Sequence, residues 1–403
     1  MVFARRGFPF GVRAARKELL LCAVLCAAVL ALLFLPTGFQ TSPYLNAQGV
    51  RATVLSVDDS GVYANGLIKQ GDQRCVVRIE EGSHRGETVT GMNIFTGKLE
   101  FDKVFSVGDE AWVLLEQNAE GAITFANLVE HYRFDKELWL IALFAALLIV
   151  FSGVTGLRTL LSFAFALLTI WKLLIPLLLK GVHPMLVALL TGNLISVATL
   201  LLVAGLTKKA YAAIFGTAIC SLLSSMLAMA FGRVFAVHGA VMQWSESLVY
   251  AGFERLDLTM IFQAGIYLAS SGAILDLAMD ISAALDELAQ NLPQASFKAL
   301  WVSGWRIGRS IVGSQTTTLL LAYMGGYLSV LMVYMAQGTQ LMSVLNSKSI
   351  AAEILHSFVG CIGLVLVCPL TSLIAAAMMC GRERAAGESE ASAFGWRKGK
   401  KGE

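Results

Sequence analysis

Two stretches carry most of the polar side chains embedded in apolar sequence. In 272–288, Gly-Ala-Ile-Leu-Asp-Leu-Ala-Met-Asp-Ile-Ser-Ala-Ala-Leu-Asp-Glu-Leu, the acids Asp276, Asp280 and Glu287 recur at i, i+4 and i+11. That spacing puts them on one face of a helix. In 304–318, Gly-Trp-Arg-Ile-Gly-Arg-Ser-Ile-Val-Gly-Ser-Gln-Thr-Thr-Thr, Arg306 and Arg309 precede a run of hydroxyl and amide side chains. Carboxylates inside a membrane helix are costly and mark functional candidates by default. The chemistry to expect is binding of a cation or relay of protons by Asp276 and Asp280, with Arg309, Thr316 and Thr317 completing a polar site. An ion pair from these acids to Arg306 or Arg309, holding neighbouring helices in register, is the competing expectation. Backbone back-bonding or helix–helix hydrogen bonding competes equally for the threonines.

Depth separates the three acids. Counted from Leu258 at about 1.5 Å per residue, Asp276 lies about 27 Å along its helix. A hydrocarbon core of about 30 Å puts it in the inner leaflet. Asp280 then falls at the cytoplasmic interface and Glu287 beyond it. Other polar residues in apolar runs are Asn193, which needs a partner at mid-membrane, and Lys172, which can snorkel from a helix kinked by Pro176. Glu353 and His356 open the last helix at the outer interface, where Glu353 is a further proton-accepting candidate. Gly304, Gly308 and Gly313, and Ser270-Ser271-Gly272, are candidate helix breaks of the kind that coordinate ions in transporters.

The elements positioning these residues are membrane helices. The 403 residues are 56% apolar and 15% charged, with a mean hydropathy of +0.68. Soluble domains carry about 25% charged residues. Residues 1–17 form a basic cytoplasmic N-terminus and 18–36 an uncleaved anchor. Residues 37–135 form a separate domain, 136–381 a seven-helix membrane domain and 382–403 a basic cytoplasmic tail. The expected class is therefore a mainly α, polytopic membrane protein of about eight crossings, with a small extracytoplasmic all-β domain. The crossings after the anchor are expected near 138–156, 157–179, 184–206, 210–232, 258–280, 307–336 and 350–380, the last two too long for a straight passage. Lys and Arg concentrate in the loops this count makes cytoplasmic.

Residues 37–135 change character. Six short strands, at 50–57, 61–68, 75–80, 87–94, 110–115 and 123–129, fit a barrel or sandwich, with an OB-like barrel among the options. Asp58-Asp-Ser-Gly reads as a turn. His84 and Arg85 sit in a Gly-bounded turn. The loop 233–257 reads as an amphipathic helix at the outer interface, with Trp244 and Tyr250 at headgroup level, or as a lid.

Enzyme chemistry finds no support. There is no His-Glu-x-x-His, no phosphate-binding Gly-x-x-x-x-Gly-Lys and no intramembrane-protease signature. The seven cysteines give neither a disulfide framework nor a metal spacing, and neither cofactor nor metal is called for. The partners implied are the lipid bilayer and a small solute or ion, with a second copy or an envelope protein as further options. A net charge of +3 gives no reason to expect nucleic acid.

Four places resemble the YibE/F-like family of bacterial membrane proteins: Gly272-Ala-Ile-Leu-Asp-Leu-Ala-Met-Asp-Ile; Ile307-Gly-Arg-Ser-Ile-Val-Gly-Ser-Gln-Thr-Thr-Thr-Leu; Glu353-Ile-Leu through Cys368-Pro-Leu-Thr; and, in the β domain, Val76-Val-Arg-Ile, Arg85-Gly-Glu-Thr-Val, Asn93 and Val107-Gly-Asp. The resemblance implies a multi-pass protein of the bacterial inner membrane and assigns no reaction. Family members often carry Asp where this chain has Ser310, and Asn where it has Thr317. A permease or channel-like protein is the leading expectation. A non-transporting envelope scaffold or assembly factor working through the β domain is the alternative.

Overall fold

The computed structural model describes residues 12–39, 47–118 and 120–380, with side chains from residue 19. The basic tail 382–403 and most of the basic N-terminus lie outside the described residues. Two units separate by contact: one runs from Gly38 to Phe151, and the other combines the residues up to Thr37 with those from Ser152 onward.

The first unit is a closed five-stranded barrel. Its strands are β1 (Ala47–Asn65), β2 (Ile68–Ile79), β3 (Thr88–Thr96), β4 (Glu110–Gln117) and β5 (Ile123–His131), in the order β1-β2-β3-β5-β4 with β4 returning to β1. Pairing is antiparallel except between β3 and β5. Closure decides for a barrel over a sandwich, and the strand order is that of a Greek-key barrel such as the OB-fold. Alternate residues fill the interior: Val50, Ala52 and Val54; Cys75, Val77 and Ile79; Ala111, Val113 and Leu115. Burial pushes the Cys75 thiol up to about 11. Gln73 and Asn93, both buried, tie the segment after β3 to the barrel wall: Asn93 donates to Gln73 at 3.0 Å and to the Lys103 carbonyl at 2.7 Å.

Among the described residues there are five strands, not six. The expected strands at 50–57 and 61–68 belong largely to one long β1. The Asp58-Asp-Ser-Gly stretch is a bulge where the register slips between Asp58 and Gly61, and the Asp58 carboxylate accepts the Ser60 N–H at 2.9 Å. The chain reverses instead at Gly66-Leu67, between the paired residues Asn65 and Ile68. Gly66 has φ +63°, the glycine-first arrangement a tight hairpin turn requires.

The helices are α1 (Val12–Phe34), α2 (Phe134–Thr169), α3 (Ile175–Leu179), α4 (Pro184–Ala204), α5 (Lys208–Val234), α6 (Ser245–Tyr250), α7 (Leu258–Asn291), α8 (Phe297–Gly326), α9 (Leu328–Ala336), α10 (Leu341–Leu345) and α11 (Lys348–Met379). Among the described residues, five stretches are long and apolar enough to cross a membrane: 134–179, α4, α5, α7 and α11. The α8–α9 pair, bent by 61°, makes a sixth if it is one span. The apolar part of α1 is shorter, at Leu19–Phe34. The two segments expected at 138–156 and 157–179 are two helical stretches that meet at Gly153, whose backbone is non-helical (φ 58°, ψ −129°). A π-turn at Ile170–Leu174 leads into Pro176, which lacks the N–H an α-turn needs. Lys172, on that turn, donates to the Leu35 carbonyl just past α1 at 3.2 Å.

Helix α11 packs against α5, α7 and α8, and α4 packs against α5 and α7. Their shared core includes Cys220, Ile274, Leu277, Ile281, Leu285, Leu364, Val367 and Ala375. Backbones approach closely at small residues: Gly216 against Thr371, Gly363 against Ser224 and Ile274, Gly308 against Cys368 and Ile281. Short polar residues cap the helix starts. Thr207, Asp257, Ser296 and Ser347 each accept an N–H of the first turn.

The loop 233–257 is not one amphipathic helix. It holds a 3₁₀ turn at Gly239–Val241 and the six-residue α6, separated by Trp244 at φ +64°. Gly239 lies against the Leu258 carbonyl, and its N–H donates to Thr259 at 3.2 Å. This docks the loop on the start of α7 and prevents a continuous helix.

Candidate functional site

Asp276 and Asp280 sit on the outward face of α7. The inward face carries Ile274, Leu277, Ala278, Ile281 and Leu285, all buried. The opposite stripe, Gly265, Ala269, Gly272, Asp276, Asp280 and Glu287, is exposed throughout. The helix is unbroken: Ser270 and Ser271 donate to the carbonyls of Tyr267 and Leu268, at 2.9 and 2.7 Å, within the turn. The break expected at Ser270-Ser271-Gly272 is absent because each hydroxyl supplements the helical ladder without displacing it.

Helix α8 also turns its polar residues outward. Along its 30 residues only Leu300, Gly304, Gly308 and Leu319 are buried. Arg306, Arg309, Ser310, Gly313, Ser314, Thr317 and Thr318 are exposed, and Thr316 is half-buried. The hydroxyls bond within the helix: Thr316 donates to the Val312 carbonyl at 2.7 Å, Thr317 to Gly313 at 3.2 Å and Thr318 to Ser314 at 3.0 Å. Gly304 and Gly308 do not break α8. They let it press on Leu285 and Ser372, and on Ile281 and Cys368. The break lies later, at the Gly326–Tyr327 junction with α9.

These contacts fix the register. Ile281 opposite Gly308 and Leu285 opposite Gly304 make α7 and α8 antiparallel. One step along, Asp280 stands level with Arg309, and Asp276 is level with Gly313. The structure thus brings Asp276, Asp280, Arg309, Thr316 and Thr317 to one stretch of one helix pair. It does not join them: among the described residues no ion pair links Asp276 or Asp280 to Arg306 or Arg309. The expected interhelical ion pair is absent, because the seam is made by the glycine and leucine faces while the charges flank it. Beside the seam, Trp301, Val302, Trp305, Arg306 and Arg309 line a surface cavity of about 290 Å3.

Glu353 is elsewhere and in a different environment. It is buried within the helix bundle, 5% exposed, near the start of α11. Its carboxylate accepts the Ser357 hydroxyl at 3.5 Å and lies 3.8 Å from His356 Nδ1. The His356 ring stacks on Tyr323 with centroids 4.2 Å apart. His356 also lines a cavity of about 500 Å3 with Tyr327 and Gly326 at the α8–α9 bend, and with Met242 of the loop before α6. Sequence reading missed the part played by Tyr323, since nothing local ties it to a residue 33 positions away.

Asn193 finds its partner within its own helix. It is half-buried and donates to the Leu189 carbonyl of its own helix at 2.9 Å. Thr217, Ser221 and Ser224 of α5 and Thr371 and Ser372 of α11 are buried, and their hydroxyls have no hydrogen-bond partner among the described residues. The 217, 221, 224 spacing on one helical face was the available signal.

The YibE/F-like protein family matches residues 140–381. The three membrane-segment motifs that carried the resemblance lie inside that range, and the barrel's motifs lie outside it. No curated protein and no solved structure matches the chain. With its membrane-helix unit matched from the α2 region through the end of α11, the chain belongs to the YibE/F-like family.

Proposed function

We propose that the membrane unit is a permease or channel-like conduit for a small solute or ion. The observation that carries this reading is the outward polar face shared by α7 and α8, where Asp276, Asp280, Arg309, Ser314 and Thr317 are exposed within helices of membrane-spanning length. Hydrocarbon does not solvate such a face, so water, a solute or protein must. In this proposal Asp276 and Asp280 attract a cation or pass a proton, Arg309 sets the local potential, and Thr316 and Thr317 offer oxygen ligands. Glu353 with His356 is a proton-accepting site at the opposite end of the bundle. The protein lies in the bacterial inner membrane with about eight crossings and both termini cytoplasmic. The barrel is extracytoplasmic, and the protein carries out no bond chemistry.

The test is flux. Liposomes holding the full chain are screened against a panel of ions and small solutes, then compared with Asp276→Ala and Glu353→Gln. Flux that falls at least tenfold in Asp276→Ala supports the reading; absence of flux across the panel, or no effect of the substitution, defeats it.

A second reading has its own observation. The barrel unit carries an open groove of about 510 Å3 lined by Trp112, His131, Tyr132, Glu81 and Glu130. The aromatic side chains Trp112 and Tyr132 suit a protein partner, as an envelope scaffold requires. Photocrosslinking from Trp112 to another envelope protein, retained when transport residues are substituted, would favour this alternative.

A further inference from the structure

We infer that a second copy of this chain covers the α7–α8 face, and that Asp280 of one copy pairs with Arg309 of its neighbour. The inference rests on reading that face as the wall of a polar conduit, and names what forms the other wall.

Three observations converge on one occupant. First, the face carries both signs of charge, and none of the four charged groups is ion-paired within the chain among the described residues. Four unpaired charges facing lipid would be expensive, whereas pairing across a contact relieves both partners. Second, the two signs occur at one level. Copies related by rotation about the bilayer normal keep every residue at its own depth, so only residues at the same level can meet. The α7–α8 register puts Asp280 level with Arg309, and Asp276 is four residues away, about 6 Å along the axis, within reach of a long arginine side chain. The face is therefore complementary to itself and needs no foreign partner. Third, the glycines divide by face. Gly304 and Gly308 are filled by neighbours within the chain, whereas Gly265, Gly272 and Gly313 have nothing within 4 Å of where a Cβ would sit. Gly265 and Gly272 share the acidic stripe, and Gly313 lies level with Asp276. Small residues at those points let a second backbone approach closely.

With the neighbour in place the arrangement changes character. The charges become an interchain ring at one depth, and Ser314 and Thr317, one to two turns along α8, line the seam above it. The polar route then lies between copies and is incomplete in one.

The test uses the full-length protein in lipid nanodiscs and in liposomes. A photo-reactive phenylalanine analogue is placed at Thr317 or, as a control, at Leu190 on the outward face of α4. The expected result is an adduct of twice the chain mass, at least tenfold more abundant from position 317 than from 190. Asp280→Arg and Arg309→Asp should each lower that yield at least fivefold alone, and co-reconstituting the two single variants should recover it. Unfolded protein would not be rescued by mixing, so the mixture guards against simple misfolding. Adducts from position 317 to lipid alone or to a different protein overturn the inference, as does a mixture that recovers nothing while each variant keeps a native thermal transition. Flux with no interchain adduct removes the second copy and leaves the conduit; an interchain adduct without flux removes the conduit and leaves the contact.

Discussion

Helices α4 and α5 and helix α8 solve opposite problems with similar residues. On α4 the outward positions are Leu186, Leu190 and Leu194, and on α5 they are Phe215, Ile219, Leu222 and Met226. Their hydroxyls point inward: Thr191, Ser196, Thr217, Ser221 and Ser224 are buried. Helix α8 is inverted, with Gly304, Gly308 and Leu319 inside and its arginines and most of its hydroxyls outside. A helix that faces lipid must present apolar groups outward, because hydrocarbon offers no hydrogen-bond partners. The first pair obeys that rule and α8 does not. Under the proposed function, α4 and α5 border lipid while the Arg309–Thr317 side of α8 borders something polar.

The largest effect that would break this comparison is a charge on each face. Leu194→Asp on α4 should cost about 3 kcal/mol in membrane insertion, the scale for an acid near a helix centre. Ser314→Asp, near the centre of α8, should cost well under half of that. A glycosylation-reporter insertion assay reads both, and equal penalties would erase the distinction.

A smaller effect separates the two sides of α8 itself. A Cβ on Gly308 would collide with Cys368, so Gly308→Ala should destabilise by about 1–3 kcal/mol through overpacking. Gly313→Ala meets open space within the chain and, in the detergent-dissociated single copy, should be neutral or stabilising by up to about 1 kcal/mol from helix propensity. Thermal unfolding in detergent checks the pair, and a reversed order would show that α8 is packed the other way round.

Smaller still is Asn193→Leu. Its amide bonds only its own helix, so losing it should change stability by less than about 1 kcal/mol, whereas a true interhelical bond would cost more.

The barrel supplies the last and smallest contrast, since it follows the ordinary soluble pattern. With its thiol raised by burial to about 11, Cys75 should be about one part in a thousand thiolate at pH 8. Maleimide should leave it unlabelled in the folded protein and label it on denaturation. Rapid labelling in the native state would mean that the barrel opens.

The polar residues of α7 and α8, the apolar segments and the β character of 47–131 were all legible in the sequence. Periodicity places Asp276 and Asp280 on one face, and composition marks membrane helices. The direction of a face was not legible. Whether Asp280 looks toward Arg309 or away depends on which side of α7 buries its leucines and isoleucines. That is settled by Gly304 and Gly308 meeting Leu285 and Ile281 across the seam. Glu353 shows the same limit: its place one turn into α11 is legible, but its burial, at 5% exposure, is set by the packing of the bundle. The Asp58–Gly61 stretch reads as a turn because local bonding favours one, and pairing with β2 converts it to a bulge.

The sequence alone determined that this is a helical membrane protein with a β domain and a concentration of charge and hydroxyl groups on two adjacent helices, because hydropathy and spacing are local properties. Only the tertiary structure decided that those groups face out of the chain. Burial is a property of the whole set of neighbours, and the neighbours of α8 cover the side that carries Leu300, Gly304, Gly308 and Leu319.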